Sequence, residues 1–320
     1  MKSAKQIQNL TLSIQHLSKH FSRKPYMRFL LSVISFFIIT FSASAQQKSN
    51  ALLWEIKGNG LKKSSYLFGT YHLLTNRFLD SLPKIGEKFN QSEILVGEII
   101  MDKAALAKME EVMKPGTKTL DQWLSPQDYA FVSAEFQKLI GVGLEPFNTY
   151  SPMTVNLLFY QFLLKDALPQ DKYKDPELGM DLYFQKYAEQ IKKPAKGLET
   201  VDVQMQALFG QFSEQRQAEM LVEAVKNTEQ NRQEIVQSIS CYKKQDIACL
   251  NKMIYETNYK KDELDVLLYN RNREWMKDLP AIISAQSSFI AVGTGHLVGE
   301  NGLIELLRKK GYTLVPVSLK

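Results

Sequence analysis

Ser288-Phe289-Ile290-Ala291-Val292-Gly293-Thr294-Gly295-His296 is the stretch on which the reading of this chain turns. Phe289 to Val292 is a dense apolar run, as expected of a strand buried on both faces. Gly293-Thr294-Gly295 breaks it. A helix follows from about Asn301 to Lys310, with Gly311 placed to end it in the left-handed conformation. Tyr312 to Val317 reads as a further strand. Strand, glycine turn, helix and strand make a βαβ unit, which places the chain in the mixed α/β class.

The same grammar occurs once more. Phe68-Gly69-Thr70-Tyr71-His72 repeats the apolar strand followed by Gly-Thr-x-His. Leu52 to Ile56 reads as a strand before it, then a Gly58-Asn59-Gly60 turn, and Tyr66 to Phe68 as a second strand. Ile94-Leu95-Val96 is a third, ending at Gly97-Glu98, and Lys196-Gly197-Leu198 a brief one leading to Glu199. A short helix is expected between Leu82 and Asn90. The middle is helical, with apolar spacings of three and four over 103–113, 126–139, 152–165 and 178–192. Ser125-Pro126 pairs a good N-cap with proline at the first helical position. Longer helical patterns cover 201–239 and 246–279, the second capped by Asp246. No solenoid repeat and no low-complexity linker is visible.

One histidine and one glutamate in each half suggest two pseudo-symmetric α/β halves with the site between them. All four residues fall just after strands, where open α/β sheets bind ligands.

The N-terminus carries a different signal. Phe29 to Phe41, FLLSVISFFIITF, has only serine and threonine as polar residues. Arg23, Lys24 and Arg28 precede it, and Ser42-Ala43-Ser44-Ala45 follow. This pattern describes a secretory signal peptide over 1–45, with cleavage after Ala45 and a second candidate start at Met27. The run of 13 residues is short of the ~20 that span a bilayer. An uncleaved anchor is the alternative, and no junction cysteine offers a lipid anchor. The expected mature domain is 46–320, exported to the periplasm or cell exterior, with no stable membrane span. The six basic residues of 1–45, with no acidic ones beside them, account for the whole formal charge of +6. The remaining 275 residues are formally neutral, so the basic pI gives no support to nucleic-acid or anionic-membrane binding. They suffice for a sizeable core.

Cys241 and Cys249 are the only cysteines. In an oxidising compartment they can pair. On one straight helix they would stand about 12 Å apart, too far to bond, so a bridge needs a turn near Lys243-Lys244-Gln245-Asp246. Two unpaired thiols are the alternative.

His72 and His296 are the only histidines after residue 45. Imidazole nitrogen and carboxylate oxygen suit zinc, manganese or cobalt. Two His with one or two Glu can hold such an ion and leave a position for water. Gly69 and Gly293 are expected to allow a sharp turn out of the strand. The spacing matches no His-Glu-x-x-His or cysteine-cluster signature, and turn histidines also serve only to hydrogen-bond backbone. No Gly-x-Ser-x-Gly elbow occurs. Gly293-x-Gly295-x-x-x-Gly299 has one residue too many for the dinucleotide fingerprint. Arg271 on a helix before the last-but-one strand is placed to stabilise an oxyanion. Arg273 and Glu274 read as a solvated helix face, and Tyr66, Phe68, Trp275 and Phe289 as core.

The pattern resembles the TraB/GumN family, whose animal relatives are the TIKI proteases. The resemblance runs through Leu53-Trp54-Glu55-Ile56, Tyr66 to Leu74, Glu98, Gly179-Met180-Asp181, Gly197-Leu198-Glu199-Thr200 with Gln204, Arg271-Asn272, and Ala291 to Gly299. It covers nearly the whole chain after the leader, in order. It implies a metal-dependent protease supported by manganese or cobalt, with His72, His296 and Glu98 tied to the site. The family's kinship with the erythromycin esterase and ChaN-like group leaves hydrolysis by a histidine base, and haem binding, as alternatives. Pro152-Met153 departs from the family's usual Pro-Trp, which bears on the substrate wall.

The leading expectation is therefore an exported metal-dependent hydrolase of peptide bonds. His72, Glu98 and His296 hold a divalent metal (Mn, Co or Zn). Glu199 is a further ligand or the general base, and Arg271 stabilises the oxyanion. The partner is a peptide or protein substrate. The second expectation is a non-enzymatic protein that sequesters a peptide or haem, and the third a metal-free hydrolase with a histidine base.

Overall fold

Six strands lie in one sheet: β1 (Leu53–Lys57), β2 (Ser65–Thr70), β3 (Ile94–Gly97), β4 (Ala195–Gly197), β5 (Ser288–Gly293) and β6 (Thr313–Pro316). Their order is β4-β3-β5-β2-β1-β6. The pairs β4–β3, β3–β5 and β5–β2 are parallel, and β1 pairs antiparallel with both β2 and β6. The computed structural model describes residues 51–168, 178–256 and 259–319, all within a unit that runs from Asn50 to Lys320. The leader expected over 1–45 lies outside the described residues.

The central strands explain the order. Every residue of β2, β3 and β5 is buried, so these strands need a layer on each side. Side chains alternate between the two faces with period 2. Trp54, Ile56, Leu67, Val96, Ile290 and Val292 point to one layer, against Trp275, Leu279, Leu303 and Leu307. Leu53, Tyr66, Phe68, Leu95, Phe289 and Ala291 point to the other, against Phe89, Phe184 and Tyr242. A separate helical cluster holds Val132, Phe136, Val155, Phe159, Leu221 and Ile235.

The helices of seven residues or more are α1 (Pro83–Gln91), α2 (Lys103–Val112), α3 (Pro126–Ile140), α4 (Pro152–Ala167), α5 (Met180–Gln190), α6 (Glu214–Lys226), α7 (Thr228–Lys243), α8 (Ile247–Tyr255), α9 (Asn270–Ala285) and α10 (Leu303–Lys309). Ser125 caps α3 by accepting from the Asp128 N–H at 3.1 Å, with Pro126 in the first turn. Asp246 caps α8 as expected, accepting from the Cys249 N–H at 3.0 Å. Gly311, at φ +91°, follows α10 in the left-handed conformation. None of the helices among the described residues is long and apolar enough to cross a membrane.

The structure differs from the sequence reading in three places. The two expected halves share one sheet, and the two Gly-Thr-x-His strands β2 and β5 are direct neighbours within it. Burial on both faces puts both strands at the centre. The chain does pass from β5 through α10 to β6, but β6 pairs with β1 at the far edge, with β2 and β1 between it and β5. The long helical patterns are also broken. Ser213 starts α6 afresh by accepting from Arg216 N–H at 3.2 Å, and a π turn, Asp265–Tyr269, precedes α9.

Cys241 near the end of α7 and Cys249 in α8 form a disulfide with their Cα atoms 5.9 Å apart. The turn that permits it lies where the spacing required, with Gln245 at φ +59°.

Candidate functional site

Four strand ends deliver the site. His72 follows β2, Glu98 follows β3, Glu199 follows β4 and His296 follows β5. Thr70 pairs with Gly293, and Gly97 with both Gly197 and Ala291, so the four side chains leave one carboxyl edge of the sheet. The β3–β4 pairing runs one step further, since Glu199 N–H donates to the Glu98 carbonyl at 2.9 Å. Thr294 Oγ1 donates to the Thr70 carbonyl at 2.7 Å and locks the two Gly-Thr-x-His segments together.

Arg271 enters at the first turn of α9 and lies at the centre of the cluster, 8% exposed. Its Nε donates to Glu199 at 3.1 Å. Its Nη2 donates to Glu98 Oε2 at 2.7 Å and Glu199 Oε1 at 2.6 Å. Its Nη1 donates to the Leu267 carbonyl, in the preceding π turn, at 2.9 Å and faces His296 Nε2 at 3.2 Å. Every N–H of the guanidinium is thereby engaged. Glu199 also accepts from Trp275 Nε1 at 3.0 Å.

Glu98 sits between the two motifs. Its Oε1 accepts from Gly293 N–H at 2.7 Å, and its Oε2 accepts from Gln204 Nε2 at 3.1 Å as well as from Arg271. Burial alone would raise its pKa. The Arg271 guanidinium and the Gly293 N–H outweigh burial and hold it well below the usual carboxylate range.

The histidines have opposite surroundings. His296 is buried, and burial pushes its pKa down to about 3, so the ring is neutral. Its Nδ1 meets Asn272 Oδ1 at 2.7 Å, and its ring lies 4.4 Å from that of Trp275. His72 has an exposed side chain, and its Nδ1 lies 3.2 Å from Asp181 Oδ2. That carboxylate partner holds its pKa up at about 9.

Gly293 shows where the groups converge. A Cβ added there would lie 3.2 Å from Glu98 Oε1, 3.4 Å from His72 Nε2 and 3.7 Å from His296 Cδ2. At Gly69 a Cβ would lie 2.8 Å from Thr294 Oγ1 and 3.0 Å from Leu297 Cδ2. Neither glycine has positive φ. The sharp turn expected of them is thus corrected: both are glycines because space is short, Gly69 against the neighbouring motif and Gly293 under the site.

The profile of the TraB/PrgY/gumN family matches residues 52–316. The chain belongs to this family. Metalloprotease TIKI1 of Danio rerio is 22% identical to it, over 83% of this chain and 63% of its own length. Metalloprotease TIKI1 of Xenopus tropicalis is 24% identical, over 84% and 62%, and the human TIKI1 is 23% identical, over 83% and 62%. The match thus spans about three fifths of the length of these relatives. No solved structure matches significantly.

Relatives with these names raise the question of a metal, and this family member has the donor chemistry for one. His296 Nε2 and His72 Nε2 are imidazole nitrogens turned toward Glu98 and the open face of Gly293. The buried Glu98 and Glu199 carry two formal negative charges against the one of Arg271. That leaves one negative charge for a cation to neutralise, and buried carboxylates require such pairing. As they stand, the side chains are drawn around Arg271. Among the described residues no group of three or more His, Cys, Asp or Glu is closed up as a cage. The fit is therefore one of donor type, charge and convergence.

The sequence reading named all five central residues, and the fold brings all five together. It gave no role to Asp181, Asn272 or Gln204, and it placed Trp275 in the core only. Trp275 is core, 1% exposed, yet its N–H serves Glu199. Its position four residues after Arg271 on one helix was the available signal. Asp181 stands in the Gly179-Met180-Asp181 segment that carries the resemblance, but its link to His72 is made only by tertiary packing. Arg273 and Glu274 are on the solvated face, with Glu274 paired to Lys277. Met153 packs with Phe212, Met220, Phe209 and Leu267.

Proposed function

We propose that this protein is an exported, metal-dependent hydrolase of peptide bonds. The convergence of His72, Glu98 and His296 over Gly293, around one neutral imidazole, carries the reading. The names of its relatives point the same way for metal and substrate class, and the leader pattern for export.

His72, Glu98 and His296 would hold the ion. Bound there, a divalent ion would supply a water acidified toward neutrality and a Lewis acid for the substrate carbonyl. The protein's own residues supply the rest. Glu199 gives both oxygens to Arg271 and Trp275, so in this scheme it anchors the arginine rather than serving as a further ligand or general base. The Arg271 Nη1–H now faces His296 Nε2. If that nitrogen is a ligand, the N–H is released for a negatively charged oxygen at the reacting carbonyl. Gly293 keeps the floor of the site open, and the Gly293 N–H holds Glu98 in place.

The test is elemental analysis of the purified protein, then cleavage of a peptide library with Mn, Co or Zn added singly. His72→Ala and His296→Ala are each expected to abolish metal binding while the fold survives. Full metal occupancy in the double variant would sink the reading. The Arg271–His296 contact favours one second reading, metal-free hydrolysis by a histidine base, and turnover that resists chelators is its signature.

A further inference from the structure

Each imidazole has one partner on Nδ1, while Nε2 of His72 lies over Gly293 and Nε2 of His296 faces Arg271 and Glu98. The partners come from different helices and bond in different ways. We propose that Asp181 and Asn272 are the positioning residues of the two histidines, each fixing its neutral ring as the Nδ1–H form, with the lone pair on Nε2.

The case at His296 follows from counting donors. Asn272 is fully buried on α9. Its Nδ2 donates to the His296 carbonyl at 3.0 Å and the Asn301 carbonyl at 2.8 Å, which uses both amide hydrogens. Turning the amide over would set its oxygen against two carbonyl oxygens, so the orientation is fixed. Oδ1 is left facing His296 Nδ1 at 2.7 Å and can only accept. Nδ1 therefore carries the hydrogen, and the neutral ring has a lone pair on Nε2. That nitrogen faces the Arg271 Nη1–H, which can only donate.

At His72 the partner is a carboxylate. Asp181 Oδ1 accepts from Thr70 Oγ1 at 2.8 Å, and Oδ2 faces His72 Nδ1 at 3.2 Å. A carboxylate only accepts, so Nδ1 again carries the hydrogen. A strap holds the two segments in register. Asn76 N–H donates to the Leu178 carbonyl at 2.9 Å, Asn76 Oδ1 accepts from Leu178 N–H at 3.0 Å, and Thr75 bridges to Gly179. The loop after His72 is thus tied to the residues just before Asp181. An imidazole that ligates or accepts a proton through Nε2 is oriented by what its other nitrogen meets.

The inference rests on the reading of both histidines as working groups, but its test uses metal-free protein and needs no turnover. The full chain is labelled with 15N, and the ring nitrogens are correlated with the ring protons. The two signals are assigned by their loss in His72→Ala and His296→Ala. The expected result is the Nδ1–H form for each ring once a pH titration has brought it to its neutral state. Asn272→Ala is expected to change the form of His296 alone, and Asp181→Ala that of His72 alone. Asn272→Asp and Asp181→Asn, which keep an acceptor, are expected to restore it. An Nε2–H form in the wild-type protein, or an unchanged Nδ1–H form in a folded alanine variant, overturns the proposal. The wild-type spectrum decides even if Asn272→Ala fails to fold. Wild-type protein that shows both Nδ1–H forms yet binds no divalent ion overturns the metal reading alone.

Discussion

Nη1 of Arg271 lies 3.2 Å from Nε2 of His296, and its Nη2 lies 2.7 Å from Glu98 Oε2. One guanidinium thus touches His296 of the second Gly-x-x-His motif and both strand-end glutamates. It compensates the charge of two buried carboxylates, and its acceptors come from four separate segments of the chain. Arg271→Ala leaves Glu98 and Glu199 buried without their cation. Removing one partner of a buried pair costs about 3–5 kcal/mol, so a markedly lower denaturant midpoint is expected. Arg271→Ala combined with Glu199→Gln is expected to lose less than Arg271→Ala alone, because one of the two stranded charges is gone. Urea unfolding of the three variants checks it. Equal loss in the single and double variants would mean that the cluster is not a charge-balanced unit.

Gly69 and Gly293 are predicted to respond differently to the same substitution. At Gly69 the new methyl meets Thr294 Oγ1 at 2.8 Å, Leu297 Cδ2 at 3.0 Å and the Thr294 Cα at 3.3 Å. Backbone cannot yield easily, and overpacking of this kind costs about 1–3 kcal/mol. At Gly293 the methyl meets the ends of Glu98 and His72 at 3.2 and 3.4 Å, and these can give way. Gly293→Ala is expected to melt near wild type and to lose binding of a divalent ion. Gly69→Ala is expected to lose stability first. Paired melting and metal-titration curves distinguish them, and a Gly293→Ala protein with wild-type metal affinity would refute the placement of the site.

Much of this arrangement was legible in the order of residues, and the reason is local. β2, β3 and β5 announce themselves because each is an apolar run stopped by glycine, and His72, Glu98, Glu199 and His296 each follow such a stop. A period of two also assigns faces, as Leu67 and Phe68 show. What the sequence does not carry is the partner. Nothing near Thr313 says that β6 joins β1 rather than β5. The Asp181–His72 contact depends on how α5 is laid against the loop after β2. Gly69 read as a turn residue because turns are the commonest reason for glycine beside a strand, while the real reason, the neighbouring Thr294, exists only once β2 and β5 are paired. Five bonds from Arg271 likewise require three strand ends and a π turn to be in place first.

The Cys241–Cys249 disulfide closes a short loop between α7 and α8. For a loop of this size the chain-entropy relation gives roughly 2–3 kcal/mol. Cys241→Ser/Cys249→Ser is expected to lower the unfolding midpoint accordingly, and reductant is expected to lower the wild type but not the variant. Thiol titration of the unfolded wild-type protein should find no free thiol without reductant. Two thiols there would remove the bridge and this prediction with it.

Tyr242, the residue after Cys241, ties that staple to the site. Its hydroxyl donates to the Gly69 carbonyl at 2.7 Å, and its ring stacks on Tyr71 at 4.8 Å, one residue before His72. Tyr242→Phe keeps the ring and removes the hydroxyl. A buried carbonyl that loses a donor costs about 1–3 kcal/mol, and the loss is expected as a lower melting temperature with His72 still in place.

Glu98→Gln separates charge from shape at the centre of the site. Glu98 accepts from three donors: Gly293 N–H, Arg271 Nη2 and Gln204 Nε2. A glutamine keeps one accepting oxygen and turns an NH2 toward at least one of those donors, so a hydrogen bond is replaced by a donor–donor clash. The stability cost is expected at about 1–3 kcal/mol. It should be smaller than that of Arg271→Ala, because Arg271 keeps Glu199 and no buried charge is stranded. The effect on function should be the larger one. If Glu98 is the anionic ligand between two neutral imidazoles, Glu98→Gln loses divalent-ion binding while remaining folded. Circular dichroism with metal titration on one sample reads both. Retention of full metal affinity by a folded Glu98→Gln protein would assign Glu98 to holding Arg271 and the Gly293 N–H alone. The negative charge that makes the site fit a cation would then have to come from elsewhere in the cluster.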